Sequence, residues 1–284
     1  MTHILLHSLE HAISDSLKIL PFLFITYLVM EFLEKKAGER TNLWLEKAGK
    51  AGPVVGSVLG VIPQCGMSTV ASNLYAGRII SVGTLIAIYL STSDEMLPIM
   101  ISQSVDCGII AKVLMTKVVI AMIAGFLIDF MYHKLKKEEH QEMKIHDFCE
   151  HEHCHCEDGV LKSAIRHTLQ ILLFVFLITV VLNIGIEVIG EEQIAEFILN
   201  KPILGPVLAG MIGLIPNCAS SVVITQMFLD GLMSFGTMMA GLLVGAGVGI
   251  LVLLRVNEDK TESFRIVGVL YLIGVLCGIL LNFI

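Results

Sequence analysis

Three groups of side chains in this sequence could do chemistry, and each lies where polar groups are unusual. The first is a pair of short breaks in apolar sequence, Ile62-Pro63-Gln64-Cys65-Gly66-Met67-Ser68 and Ile215-Pro216-Asn217-Cys218-Ala219-Ser220-Ser221. Each sets an amide, a thiol and a hydroxyl beside a proline, a set of neutral ligands for a metal or a polar solute. The second is Ser91-Thr92-Ser93-Asp94-Glu95-Met96-Leu97-Pro98, where two carboxylates and three hydroxyls interrupt another apolar run. Carboxylates at membrane depth are costly unless paired, protonated or functional. Lys117, on the next apolar segment, is their candidate charge partner, and a metal cation that a proton can replace is their candidate ligand.

The third group is the tract Cys149-Glu150-His151-Glu152-His153-Cys154-His155-Cys156, within a 133–160 segment that holds six of the ten histidines. Imidazole and thiolate bind transition metals, but a tract of this kind fixes neither geometry nor selectivity. His151, His153, Cys154, His155 and Cys156 therefore read as accessory metal capture, against the plain alternative of a solvated linker. Near the N-terminus, His3, His7, His11 and Asp15 share i, i+4 spacing, which gives either a metal-exit stripe or a solvated helix lip.

These groups must be positioned by membrane helices. The chain has 284 residues, is 55% hydrophobic and only 16% charged, with a mean hydropathy of +0.80. Apolar runs cover 13–33, 54–76, 79–101, 110–132, 161–189, 203–229, 232–254 and 264–284. Each has the ~20 residues that cross a bilayer as a helix. No basic region precedes the first run and no small-residue cleavage site follows it, so a retained helix is expected rather than a signal peptide. Seven cysteines scattered among membrane segments and one polar loop do not form a disulfide framework. The formal charge of -7 sits in loops and says little about partners.

The chain also repeats itself. At an offset of 153 residues, the 36 pairs from 52/205 to 87/240 contain thirteen identities, among them Pro63 with Pro216, Cys65 with Cys218, Ser68 with Ser221, and Ser81, Gly83 and Thr84 with Ser234, Gly236 and Thr237. Paired halves with matching Pro/Gly-interrupted apolar segments are the signature of a secondary transporter with its site near the midplane. If each Pro-broken segment turns back as a re-entrant hairpin, the halves are inverted and the 19 basic residues divide 15 to 4 between the two faces. Straight crossing makes the halves parallel and divides them 11 to 8. Basic residues concentrate on the cytoplasmic side, so the hairpin is favoured. Half-helices of about 12 residues reach roughly 18 Å, just past the middle of a ~30 Å core, so the two tips would meet there. Non-helical backbone at that depth must be buried in protein or line a cavity, and a polar cavity is expected.

The expected fold is thus an all-α polytopic membrane protein of two inverted-topology repeats, each with a Pro-broken re-entrant helical hairpin, about ten apolar segments in all. Residues 1–132 form the first membrane repeat, 133–160 a cytoplasmic His/Cys/acid-rich loop and 161–284 the second membrane repeat. Both termini are expected outside the cytoplasm, in the cell inner (plasma) membrane. By repeat position Asp94 and Glu95 correspond to Gly247 and Val248, so the charge is one-sided. Two zinc-protease patterns occur by letter, His151-Glu152-His153-Cys154-His155 and His7-Ser8-Leu9-Glu10-His11. The first lies in a low-complexity loop and the second at the lip of a membrane helix, so a membrane metalloprotease stands only as an alternative of another class, and no enzyme is expected. Without a Walker A loop, direct ATP drive would need another subunit.

With these paired Ile-Pro-Gln-Cys-Gly and Ile-Pro-Asn-Cys-Ala-Ser-Ser motifs, Ser-Thr-Ser-Asp-Glu and the His/Cys-rich central loop, the chain resembles the ten-segment heavy-metal exporters. These are arsenic-permease-like proteins also described as manganese exporters. The resemblance runs over nearly the whole chain and implies an inner-membrane efflux carrier. Oxygen ligands from Asp94, Glu95, Gln64, Asn217, Ser68, Ser93 and Ser221 suit a hard ion such as manganese(II), whereas a site dominated by Cys65 and Cys218 suits arsenite or a soft metal. The expectation is alternating-access export of a divalent metal, manganese by preference, with protons as the candidate coupling ion and arsenite as the other reading. No resident cofactor and no nucleic-acid partner are expected. The partners are the metal ion and the lipid bilayer, and the sequence leaves room for a homo-oligomer.

Overall fold

The computed structural model describes residues 51–62, 66–93, 96–135 and 202–283, with scattered helical positions between 13 and 28 and between 161 and 180. Five helices of the first repeat are α1 (Gly52–Leu59), α2 (Gly66–Ala76), α3 (Val82–Ser91), α4 (Met96–Ser102) and α5 (Cys107–Leu135). Their counterparts are α6 (Leu204–Gly213), α7 (Cys218–Leu229), α8 (Phe235–Val244), α9 (Val248–Val256) and α10 (Lys260–Asn282). No strand occurs among the described residues.

Shared residues at the repeat offset explain why the helices start and pack alike. Ser81 accepts the Thr84 N–H at 3.1 Å, and Ser234 accepts the Thr237 N–H at 3.3 Å, so each serine caps a half-helix by taking one of its unpaired N-terminal donors. Two residues on, a Cβ on Gly83 would lie 2.2 Å from the Gly125 carbonyl, and one on Gly236 would lie 2.3 Å from the Gly278 carbonyl. Only glycine lets α3 approach α5, and α8 approach α10, this closely. Within the first repeat α3 packs on α1, α2 and α5; within the second α8 packs on α6, α7 and α10. Across the interface the pairing crosses over: α2 packs on α9, α7 packs on α4, and α3 meets α8.

Among the described residues, four stretches are long and apolar enough to cross a membrane: Val82–Ser102, Cys107–Lys134, Phe235–Val256 and Lys260–Asn282. The two that hold breaks are the enclosed ones, 75% and 83% buried against 28% for each unbroken helix. That division follows from the backbone, since unpaired carbonyls and N–H groups at a break cannot face lipid whereas a continuous helix can.

The 79–101 run, expected as one membrane-spanning segment with a polar interruption, instead ends one helix at Ser91 and starts another at Met96, and the second repeat has a counterpart. Residues 232–254 also divide, into α8 and α9, at Gly245-Ala246-Gly247. Gly247 takes φ 53°, which costs glycine little, and Ala246 N–H turns back to the Val244 carbonyl at 2.8 Å. Small residues that allow close helix packing thus also end a helix here. The arms around the Pro breaks are 8 and 11 residues in the first repeat and 10 and 12 in the second, near the expected length.

At one end of the molecule Arg78, between α2 and α3, pairs with Glu262 of α10 at 3.0 Å. Tyr132, near the end of α5, donates to the same carboxylate at 3.1 Å, and Asn257 donates to it at 3.4 Å. At the other end of α5 the Lys112 ammonium lies 4.8 Å from the Phe235 ring centre, and Gln103 donates to Gln226.

Candidate functional site

The candidate site forms where the broken helices end against each other. At the close of α3, Thr92 Oγ1 donates back to the Ile88 carbonyl at 2.8 Å and Ser91 Oγ to the Ala87 carbonyl at 2.8 Å. Such back-bonding satisfies the hydroxyls while loosening the last helical turn. Ser93 follows, buried, donating to the Ser91 carbonyl at 3.1 Å. From the other repeat, Ser220 near the start of α7 donates to the carbonyl of Asn217 at 2.7 Å, and Asn217 is itself buried.

Thr92, Ser93, Met96 and Lys117 of the first repeat and Ser220, Ser221, Gly241, Leu242 and Gly245 of the second enclose a cavity of about 10 Å³. That is room for roughly one water or one small ion. Lys117, on α5, is 1% exposed. Its ammonium donates to the Leu242 carbonyl at 2.9 Å and to the Thr92 carbonyl, so it joins the C-terminal ends of α3 and α8.

The symmetry-related position is closed. Ser68, in the first turn of α2, is fully buried against α9, where a Cβ on Gly249 would lie 2.6 Å from the Ser68 Cβ. Ser72 Oγ lies 2.7 Å from the Ser68 carbonyl, 2.7 Å from the Gly249 carbonyl and 2.7 Å from the Tyr89 hydroxyl. Tyr89 reaches the Gly249 carbonyl at 3.2 Å. By repeat position Tyr89 corresponds to Leu242 and Ser72 to Thr225, which donates only to the Ser221 carbonyl, at 2.7 Å, among the hydrogen bonds described for its hydroxyl.

Of the residues expected at the site, the structure brings Ser93, Ser221 and Lys117 together around the cavity, with Asn217 one step behind Ser220. It does not bring Ser68 there. Gln64, Cys65, Asp94 and Glu95 lie outside the described residues, as does the side chain of Cys218. So do His7, His11, Asp15, His151, His153, Cys154, His155 and Cys156. Among the described residues, no three or more His, Cys, Asp or Glu side chains gather as a metal site would require. Sequence reasoning missed Tyr89, Ser72 and Ser220 as parts of the two sites. Tyr89, a phenol in an otherwise apolar stretch, was the available signal, because a buried phenol needs a partner.

Asp129, on α5, accepts from the Gly83 N–H at 2.8 Å and from Ser81 Oγ at 2.7 Å, holding the start of α3. Its counterpart Asn282 accepts from Ser234 at 2.7 Å.

Compared with known families, residues 3–189 and 158–284 match the family described as "Putative, 10TM heavy-metal exporter". The chain belongs to this family. The helical, multi-span architecture agrees with a ten-segment exporter, and heavy-metal export is the function that the family's description names. No match was found among curated proteins or among solved structures.

Proposed function

We propose that the protein exports a divalent transition metal, manganese(II) by preference, by alternating access of two inverted repeats in the inner membrane, with protons returning through Asp94 and Glu95. The observation that carries this reading is the cavity between the repeats, lined by Thr92 and Ser93, directly before Asp94-Glu95, and by Ser220 and Ser221, which follow Cys218-Ala219. Hydroxyl, carbonyl and carboxylate oxygens form a hard donor set, which favours manganese over a thiophilic metal. Inversion draws support from the bonding of Arg78 and Tyr132 to Glu262. A hairpin puts all three on one face, whereas straight crossing would part Arg78 and the end of α5 from Glu262. The crossed packing of α2 on α9 and of α7 on α4 is what a two-fold relation between the repeats gives.

Lys117 favours a second reading. An ammonium beside the cavity opposes a divalent cation and suits arsenite as its uncharged hydroxide, for which the serine hydroxyls are fitting partners.

Transport into inverted vesicles of manganese, zinc, cobalt and arsenite separates the two. Manganese is expected to move, with Asp94→Asn lowering its rate at least about tenfold, the loss of one strong ligand, and Cys65→Ser/Cys218→Ser remaining active. Arsenite moving without manganese, with the thiol variant dead and the carboxylate variant active, overturns the manganese reading.

A further inference from the structure

Lys117 does something the exported ion does not account for. Its ammonium sits between two carbonyls that end half-helices of different repeats. Thr92 is the C-terminal cap of α3, so its carbonyl lies past the last helical hydrogen bond. Leu242 lies in the last turn of α8, and the residue that would normally pair with it, Ala246, turns its N–H to Val244 instead. A helix C-terminus carries roughly half a negative elementary charge, so two of them converging favour a cation. The place is therefore a cation site in its own right, made from backbone of both repeats and filled by a side chain.

The other half of the molecule shows that the fold does not need a cation there. At the repeat offset Lys117 corresponds to Leu270, which is fully buried and apolar. Burying an ammonium costs several kcal/mol unless its partners are well placed, and an apolar residue of like size is often as stabilising. A charged side chain on only one of two equivalent helices is thus hard to attribute to packing.

We propose that Lys117 is a tethered cation occupying a monovalent-cation site at the crossing of α3 and α8, where it holds the two breaks in register across the repeat interface. Secondary transporters use half-helix C-termini and unwound carbonyls to coordinate free ions. Here the ion is covalently attached, so the wild-type carrier needs no free monovalent cation at that place. The chemical class the site accepts is a primary ammonium, and the statement holds whichever ion is exported.

Truncating Lys117 to alanine removes Cγ, Cδ, Cε and Nζ, the atoms of n-propylammonium. The test compares Lys117→Ala and Lys117→Met, purified in detergent without transition metal, by melting temperature in n-propylammonium or in n-propanol at matched concentration. The alanine variant is expected to melt several degrees below wild type, and the methionine variant to export at less than about a tenth of the wild-type rate. Propylammonium should raise the alanine variant by several degrees in a saturable way, since a ligand bound only to the folded state stabilises it by mass action. Propanol should not, and wild type and the methionine variant should respond to neither. In vesicles, propylammonium should restore export by the alanine variant to at least a tenth of the wild-type rate. Should the alanine variant fail to survive purification, Lys117→Met decides, because it keeps the chain's bulk and loses the charge. Lys117→Met exporting as wild type does, or propylammonium acting no better than propanol, overturns the proposal. Neither readout of stability depends on the exported metal, so failure here is distinct from failure of the manganese reading.

Discussion

The tips of the two hairpins begin from matching sequence, yet Ser68 is packed against Gly249 under a Tyr89–Ser72 hydrogen-bond cluster, while Ser220 and Ser221 border a cavity. The backbone plan is shared down to the serine caps at 81 and 234 and the glycine contacts at 83 and 236. What differs is a handful of side chains: Tyr89 against Leu242, Ser72 against Thr225, Lys117 against Leu270 and Asp129 against Asn282. The comparison teaches that repetition builds the scaffold and the departures from it make the site. A perfectly symmetric chain would close both tips or open both. Here the phenol fills one side, and the ammonium and hydroxyls face the other.

The largest effect that could break this comparison comes from crowding the closed tip. A methyl added at Gly249 meets Ser68 side chain and backbone within 2.9 Å, so Gly249→Ala should cost about 3 kcal/mol, at the upper end of overpacking. At the open tip the nearest atom to a Cβ on Gly245 is the Gly241 carbonyl oxygen at 3.3 Å, a tight contact that a small shift relieves, so Gly245→Ala should cost only about 1 kcal/mol. Thermal melting of the two purified variants checks the ordering, and equal losses would mean the two tips are packed alike.

A smaller effect sharpens the comparison at the base of each repeat. Asp129 offers two acceptor oxygens to Ser81 and Gly83, whereas an amide would offer one and turn a donor toward the other partner. Asp129→Asn should therefore destabilise by about 1 kcal/mol, the worth of one hydrogen bond, read as a lowered melting midpoint. An unchanged midpoint would show that the acid is no better there than the amide at Asn282.

How much of this was legible in the sequence depends on which atoms do the work. The repeat was legible because helix contacts select residue identity: Gly83 and Gly236 are required by carbonyls 2.2 and 2.3 Å from any added Cβ, and Ser81 and Ser234 by their caps. The polar interruption at Ser91-Thr92-Ser93 was legible because hydroxyls and carboxylates are costly in an apolar run, though the helix end it makes was not. The break at 245–247 was hidden by residues whose small size serves close packing and helix ending equally well. The partners of Lys117 were hidden for a deeper reason. Thr92 and Leu242 bind it through their carbonyls, and a backbone ligand leaves no trace in residue type. Lys117 could be picked out as a membrane cation, but only the fold supplies what it touches.

The central claim, that the ion is held on the open side where the repeats meet, is tested most directly by the KM for manganese(II) export in vesicles. Ser93→Ala/Ser221→Ala, which removes two hydroxyls from the cavity, should raise KM about tenfold, the equivalent of roughly 1.4 kcal/mol. Ser68→Ala, on the closed side, should change it by less than about twofold, since it removes no group from the cavity and a surplus of under 0.5 kcal/mol is lost in binding. Equal KM values in wild type and the double variant, or a larger rise for Ser68→Ala, would contradict the account.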